Sequence, residues 1–223
     1  MGESSMNKEW SEQNKIMQAL IGKRDTYEDG ISALFKLRND LTKTILSYKA
    51  DLTREDFDAI PFINADGYHS KTIAYSLWHI FRIEDIVAHT LIKGDEQVFF
   101  AKGYKERIGS PIITTGNELV KQEIADFSEK LDLDELYSYI ADVKESTERV
   151  IKELTFDDMK MKILQERRES LTALNVVSSD ESAVWLIDYW CGKDIRGLIK
   201  MPFSRHWIMH IEACGRIKDK IKK

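Results

Sequence analysis

Two histidines, His206 and His210, stand four residues apart in the segment PFSRHWIMHIEACGRI. On a helix that spacing brings both imidazoles onto one face, about 6 Å apart along the axis, which suits a single metal ion. The pair alone is a weak signal, because His-x-x-x-His arises by chance. Its surroundings strengthen it. His210 falls on an apolar seam between Trp207 and Cys214, where an imidazole loses water and each ring nitrogen needs a partner. Hydrogen bonding within the core is the plain explanation for one such residue. A second histidine one turn away, and a third, His79, inside another apolar helix, shift the balance toward a ligand set. His79 lies in SLWHIFRIED, in line with Ile83 and Ile86. Three imidazoles from two facing helices match the open coordination of a catalytic zinc-type site, whose remaining positions take water or substrate. Imidazole serves zinc, nickel, iron and copper, so these residues do not choose the metal.

The other candidates fit less well. His89 lies ten residues beyond His79, about 15 Å along the same helix, too far to share an ion. His69 precedes that helix in a glycine-containing loop and reads as a surface residue. Cys214 is about 12 Å from His206 by helical rise and reads as core. Glu84 interrupts an apolar seam, where a carboxylate needs a partner. It either orients a ligating imidazole from behind or pairs with an arginine on a neighbouring helix, such as Arg38. Arg82 and Arg205 adjoin the histidines and are expected to face solvent.

Several chemistries are excluded by inspection. No histidine has a glutamate three residues before it, as a carboxylate-bridged di-iron bundle requires. His-Glu-x-x-His is absent, as are Gly-x-x-x-x-Gly-Lys and Gly-x-Gly-x-x-Gly phosphate loops. Two cysteines, Cys191 and Cys214, are too few for a thiolate zinc finger or a disulfide scaffold, and their scarcity suggests a reducing, cytoplasmic setting.

Positioning the histidines falls to four segments whose apolar residues recur at helical spacing. The first runs from about Thr26 to Ala50 and carries Arg38 on its seam. The second runs from Lys71 to Ile92, the third starts near Asp134 and holds Thr147 as its one polar seam position, and the fourth opens after Pro202. Four such helices without period-2 alternation predict an all-α four-helix bundle. The connections 51–70, 93–133 and 155–201 are long for an up-and-down bundle, and predict crossover topology with extra short helices near Asn117–Lys130, Asp157–Leu171 and Asp180–Trp190. Residues 1–25 read as an N-terminal extension whose helix packs on the bundle, and residues 26–223 as one bundle domain. Pro61, Pro111 and Pro202 read as helix boundaries.

The 223 residues carry 33 basic and 38 acidic side chains, a formal net charge of -5, with no basic stripe beyond the C-terminal lysines. Nucleic acid is therefore not an expected partner, and no uninterrupted apolar run predicts a membrane span.

Two blocks, TIAYSLWHIFRIEDIVAHTL at Thr72–Leu91 and PFSRHWIMHIEACGRI at Pro202–Ile217, resemble the DinB/YfiT-like metalloenzyme family. LDLDELYSYIADVKESTERVIKEL at Leu131–Leu154 looks like that family's third helix. The resemblance implies a four-helix bundle in which His79, His206 and His210 hold nickel, zinc or iron. It also implies a small-molecule substrate, with thiol transfer using a low-molecular-weight thiol as one chemistry; activation of water, and hence hydrolysis, is the other. Relatives often pair, which with Trp10, Trp185 and Trp190 suggests a homodimer. A non-catalytic metal-binding or ligand-sensing bundle is the competing expectation.

Overall fold

The computed structural model describes residues 3–223, with side chains from residue 8 onward. Met1 and Gly2, the start of the expected 1–25 extension, lie outside the described residues. The described residues are predominantly helical and contain no strand, only an isolated bridge between Lys162 and Asp194. In chain order the α-helices are α1 (Glu3–Leu20), α2 (Tyr27–Asp51), α3 (Arg54–Asp58), α4 (Ile73–Asp85), α5 (Val98–Ala101), α6 (Tyr104–Ile108), α7 (Gln122–Ser128), α8 (Leu133–Glu153), α9 (Gln165–Ala173), α10 (Glu181–Cys191), α11 (Ile195–Lys200) and α12 (His206–Ile221). No described helix is long and apolar enough to cross a membrane.

The four long seams correspond to α2, α4, α8 and α12, and side-chain pairs along them fix their relative directions. Arg38 meets Glu148, Tyr137 donates to the Ile45 carbonyl, and Lys49 meets Asp134, so α2 and α8 run antiparallel. Tyr139 meets Asp85 while Ser146 meets His89, so α4 and α8 run parallel. His79 lies by His210 and Glu84 by Trp207, so α12 runs against α4 and alongside α2. The order is up, down, down, up. Two successive parallel helices need a crossover, and the segment from Gly94 to Asp132 supplies it, with α5, α6 and α7 along its length.

Two of the expected boundaries are drawn differently. The second long helix widens into a π-helix over Ile86–Lys93 and stops at Gly94, whose left-handed φ of 76° lets its N–H reach the His89 carbonyl. Pro202 does not open the last helix. It sits inside a π-helical stretch, Met201–Arg205, that joins α11 to α12 without a break. Proline lacks the N–H that a regular turn would use, and next to it the Ser204 hydroxyl donates to the Ile199 and Lys200 carbonyls.

Apolar burial falls into two clusters, one built on Leu41, Ile45, Leu77, Phe81, Ile140 and Ile211, the other on Leu34, Ile86, Val87, Ile151, Leu198 and Phe203. Helices α2, α4 and α8 pass through both, and α12 joins the second by way of Phe203 in the π-helical stretch that precedes it. Where they cross from one to the other they carry polar groups: Arg38 on α2, Glu84 and His79 on α4, Thr147 on α8, and His206 and His210 on α12, all buried. Helix α1 packs on α2 and α12. Its Trp10 is buried, and so is Trp190 of α10; of the three tryptophans expected to offer a surface to a partner, only Trp185 remains half-exposed.

Candidate metal centre

The site begins with the first turns of α4. Thr72 caps the helix, its hydroxyl accepting from the Tyr75 N–H at 3.0 Å. Tyr75, His79 and Arg82 then follow at intervals of four and three residues and share a face. All three hold the crossover segment. Tyr75 donates to the Gly116 carbonyl at 2.9 Å, His79 Nδ1 donates to the Thr115 carbonyl at 2.6 Å, and Arg82 donates to the Ile113 carbonyl from Nε and Nη2. Arg82 is therefore not the solvent-facing cation expected from its neighbours in sequence. It is fully buried, with Phe99 stacked 4.3 Å from its guanidinium and Gln97 accepting from its Nη1. Arg205 is exposed as expected.

Because Nδ1 of His79 is spent on Thr115, its Nε2 carries the free lone pair. The His79 ring, stacked on Tyr75 at 5.4 Å between centroids, lies 5.2 Å from the His206 ring and 4.9 Å from the His210 ring, and those two are 4.6 Å apart. One ligand nitrogen from each of the three falls within 4.8 Å of the others. A tetrahedral ion at ordinary zinc–nitrogen bond lengths needs them about 3.4 Å apart, within reach of small ring rotations.

The donor set passes a second test. His206 Nδ1 and both nitrogens of His210 are buried without a hydrogen-bond partner. Each such group costs about 1–3 kcal/mol when left unpaired, so packed hydrogen-bonded histidines do not describe this cluster. Burial holds His79 down at about 4 despite the Thr115 hydrogen bond, with Lys71 adding a further push. Burial, and then the neighbouring imidazoles, keep His206 and His210 well below the usual histidine range. All three are neutral near pH 7, the form a metal requires.

The imidazoles open onto a cavity of about 210 Å³, walled by Tyr68, Asn117, Trp185, Tyr189, Trp190 and Met201 among others. Tyr68 meets the His210 ring edge-on at 4.7 Å. Thr115, Asn117 and Tyr68 left no sign in the sequence, since a backbone carbonyl has no trace in residue type and a loop tyrosine or asparagine has no periodicity to betray it. Glu84, one candidate for orienting an imidazole, is occupied elsewhere: Arg38 reaches both its oxygens at 2.7 and 2.9 Å, and Trp207 Nε1 donates to it at 2.8 Å. Of the two readings of Glu84, the pair with Arg38 is the one present, and the carbonyl of Thr115 is what orients His79.

The remaining histidines lie apart. His69 accepts from Arg216 near the surface. His89 sits between Asp95 Oδ1, at 2.6 Å from Nδ1, and Ser146 Oγ, at 3.0 Å from Nε2. That order imitates a nucleophile relay, but Ser146 lies mid-way along α8, where backbone N–H groups are consumed by the helix and none is left to stabilise an oxyanion. The contact ties the π-helical stretch to α8. Cys214 is buried and its thiol is pushed up to about 12 by burial, in keeping with a core role.

Comparison of the chain with known family models and with curated proteins gives no match.

Proposed function

We propose that this protein is a metal-dependent enzyme acting on a small molecule, built as a DinB/YfiT-like four-helix bundle from α2, α4, α8 and α12. The observation that carries the reading is the convergence of three buried, neutral imidazoles on one point at the floor of a cavity. His79, His206 and His210 would hold one divalent ion, with zinc, nickel and iron all compatible with the donor set. A bound ion would supply Lewis acidity, lowering the pKa of a thiol or water in its open position for attack on an electrophile. The chain's own part is to fix His79 through Thr115, to keep the three rings deprotonated by burial, and to exclude bulk water with the tryptophans and tyrosines of the wall.

Thiol transfer with a low-molecular-weight thiol and hydrolysis are both open to this arrangement. A non-catalytic metal is the second reading; the cavity weighs against its structural form, because a structural site closes its coordination with protein ligands, and leaves ligand sensing as the alternative. With Trp10 and Trp190 buried, Trp185 is the one of the three tryptophans left to support a homodimer; light scattering of the purified protein decides it.

Metal analysis tests the site. Protein equilibrated with zinc and dialysed should retain one ion per chain, and His79→Ala, His206→Ala and His210→Ala should each lose most of it. His69→Ala is the control, since His89→Ala would also strip Asp95 and Ser146 of their partner. Equal metal in all of them would refute the three-histidine site. Metal-dependent consumption of a generic electrophile in the presence of a thiol tests the catalytic half, and its absence over a broad panel would leave the sensing reading.

A further inference from the structure

The cavity above the three histidines has a composition that specifies more than a metal. Its lining includes Trp185, Trp190, Tyr68, Tyr189, Ile83 and Met201, and among the described residues no aspartate, glutamate, lysine or arginine lines it. One wall group is polar and unsatisfied: the side-chain oxygen of Asn117 is buried and has no hydrogen-bond partner. The rim is aromatic as well, Trp185 and Tyr189 meeting edge-on at 5.5 Å, with the indole N–H of Trp185 turned back onto the Ser182 carbonyl at 2.8 Å. Trp185 is held there although its ring is 48 % exposed.

Size narrows the choice further. An apolar protein cavity of about 150 Å³ accommodates benzene. The 210 Å³ here therefore suits one to two fused or linked rings, and is too small to enclose a peptide-sized thiol. No charged side chain lines the wall, so away from the metal position a carboxylate or phosphate would find nothing to offset its desolvation.

We infer that the pocket over His79, His206 and His210 takes an uncharged aromatic molecule of one or two rings. Its rings lie against Trp185, Trp190 and Tyr189, a donor atom faces the three imidazoles, and an N–H or O–H points to the Asn117 side-chain oxygen. This rests on the metal reading for the donor atom alone; the aromatic and Asn117 contacts belong to the chain.

4-Phenylimidazole has these features: two rings, no charge at pH 8, one ring nitrogen to offer a metal and one N–H. Its binding to zinc-loaded and to metal-free protein can be followed by quenching of tryptophan emission and by calorimetry, against imidazole, imidazole-4-acetate and glutathione. It should bind zinc-loaded protein at least about tenfold more tightly than imidazole, a gap within the reach of one buried phenyl ring. It should also bind metal-free protein measurably, and outcompete the two anionic probes there, where no cation compensates their charge. Trp185→Ala and Asn117→Leu should each weaken it several-fold while zinc content stays at the wild-type level. Trp185 is half-exposed, so its replacement leaves the fold intact. Should the protein hold no zinc yet still bind 4-phenylimidazole in a Trp185-dependent way, the metal reading fails and the inference about the cavity stands. Equal affinity for imidazole and 4-phenylimidazole, tighter binding of either anionic probe by the metal-free protein, or indifference to both substitutions would overturn it.

Discussion

The Nδ1–H of His79 donates to the carbonyl of Thr115 at 2.6 Å, across 36 residues of chain. This bond settles which nitrogen of His79 faces the cavity, and it makes the crossover segment part of the site rather than a mere connection. Gly116 secures the geometry. Its φ of 75° is one that side-chain-bearing residues rarely adopt, and an added Cβ would come to 3.0 Å from the rings of both Trp78 and Tyr75.

Gly116→Ala should therefore displace the Thr115 carbonyl and loosen the His79 ring without touching a ligand. Loss of such an outer hydrogen bond typically weakens metal affinity about 10- to 100-fold, and the strain should lower stability by roughly 1–3 kcal/mol. Competition with a chromophoric chelator measures the first effect and urea denaturation the second. A destabilised variant with unchanged metal affinity would show that Thr115 does not orient His79.

Glu84 makes a different kind of contribution. Its carboxylate and the Arg38 guanidinium are both fully buried, and Trp207 and the Phe203 carbonyl complete their hydrogen bonding. Burial works against the Arg38 charge, but Glu84 and Glu148 outweigh it and raise its pKa above the ordinary value. Glu84→Ala leaves a buried cation facing only Glu148 and strands the Trp207 N–H, which should cost about 3–5 kcal/mol. The double variant Arg38→Met with Glu84→Leu should recover much of that loss, because apolar groups of similar volume need no partner. Folded protein from either variant should keep its metal; depletion of the metal in the stable double variant would restore Glu84 as an orienting residue.

The two cysteines should differ in reactivity from any catalytic thiol. Cys214 is buried with its thiol pushed up to about 12, and burial raises the half-buried Cys191 as well, partly offset by Arg168. Since the thiolate is the reactive form, a disulfide reagent at pH 7.5 should leave Cys214 unmodified in the native protein and react slowly at Cys191. Both should react once the chain is unfolded. Rapid native labelling of Cys214 would mean that the α4–α12 contact opens readily. Cys191→Ser should keep full metal content, consistent with any reacting thiol coming from outside the chain.

Much of this was legible in the sequence because it rests on periodicity. The seams of α2, α4, α8 and α12 announced four amphipathic helices, and the polar exceptions on them, Arg38, Glu84, Thr147 and His210, mark the buried belt between the two apolar clusters. The three histidines were legible for the same reason: burial at helical spacing is a statement about side chains. What stayed hidden depends on backbone. Thr115 acts through its carbonyl, and the π-helical stretches, including the one that holds Pro202, depend on which carbonyl each N–H selects. Arg82 misled because its sequence neighbours do not reveal the crossover carbonyl that receives it. Trp10 and Trp190 misled likewise, since a large apolar side chain on an amphipathic helix reads the same whether it meets its own chain or another.

Acid should destabilise the metal-free protein, and the sign follows from the histidines. In the unfolded chain each titrates near 6.5, whereas burial holds His79 at about 4 and His206 and His210 well below the usual range. Between those values the unfolded chain binds more protons than the folded one. The stability these neutral rings allow is therefore fully present above pH 6.5 and is lost as pH falls toward the folded-state values. His79 alone would account for on the order of 3 kcal/mol by pH 4, a large share of a typical domain's stability. Urea midpoints of chelator-treated protein should be flat between pH 8 and 7 and fall steeply from 6.5 to 4.5. His79→Gln and His210→Gln, which cannot take up a proton, should each flatten that slope, and bound zinc should shift the fall to lower pH because protons and metal compete for the same nitrogens. A midpoint that stays constant from pH 7.5 to 5 in the metal-free protein would show that the three rings are not held neutral by burial.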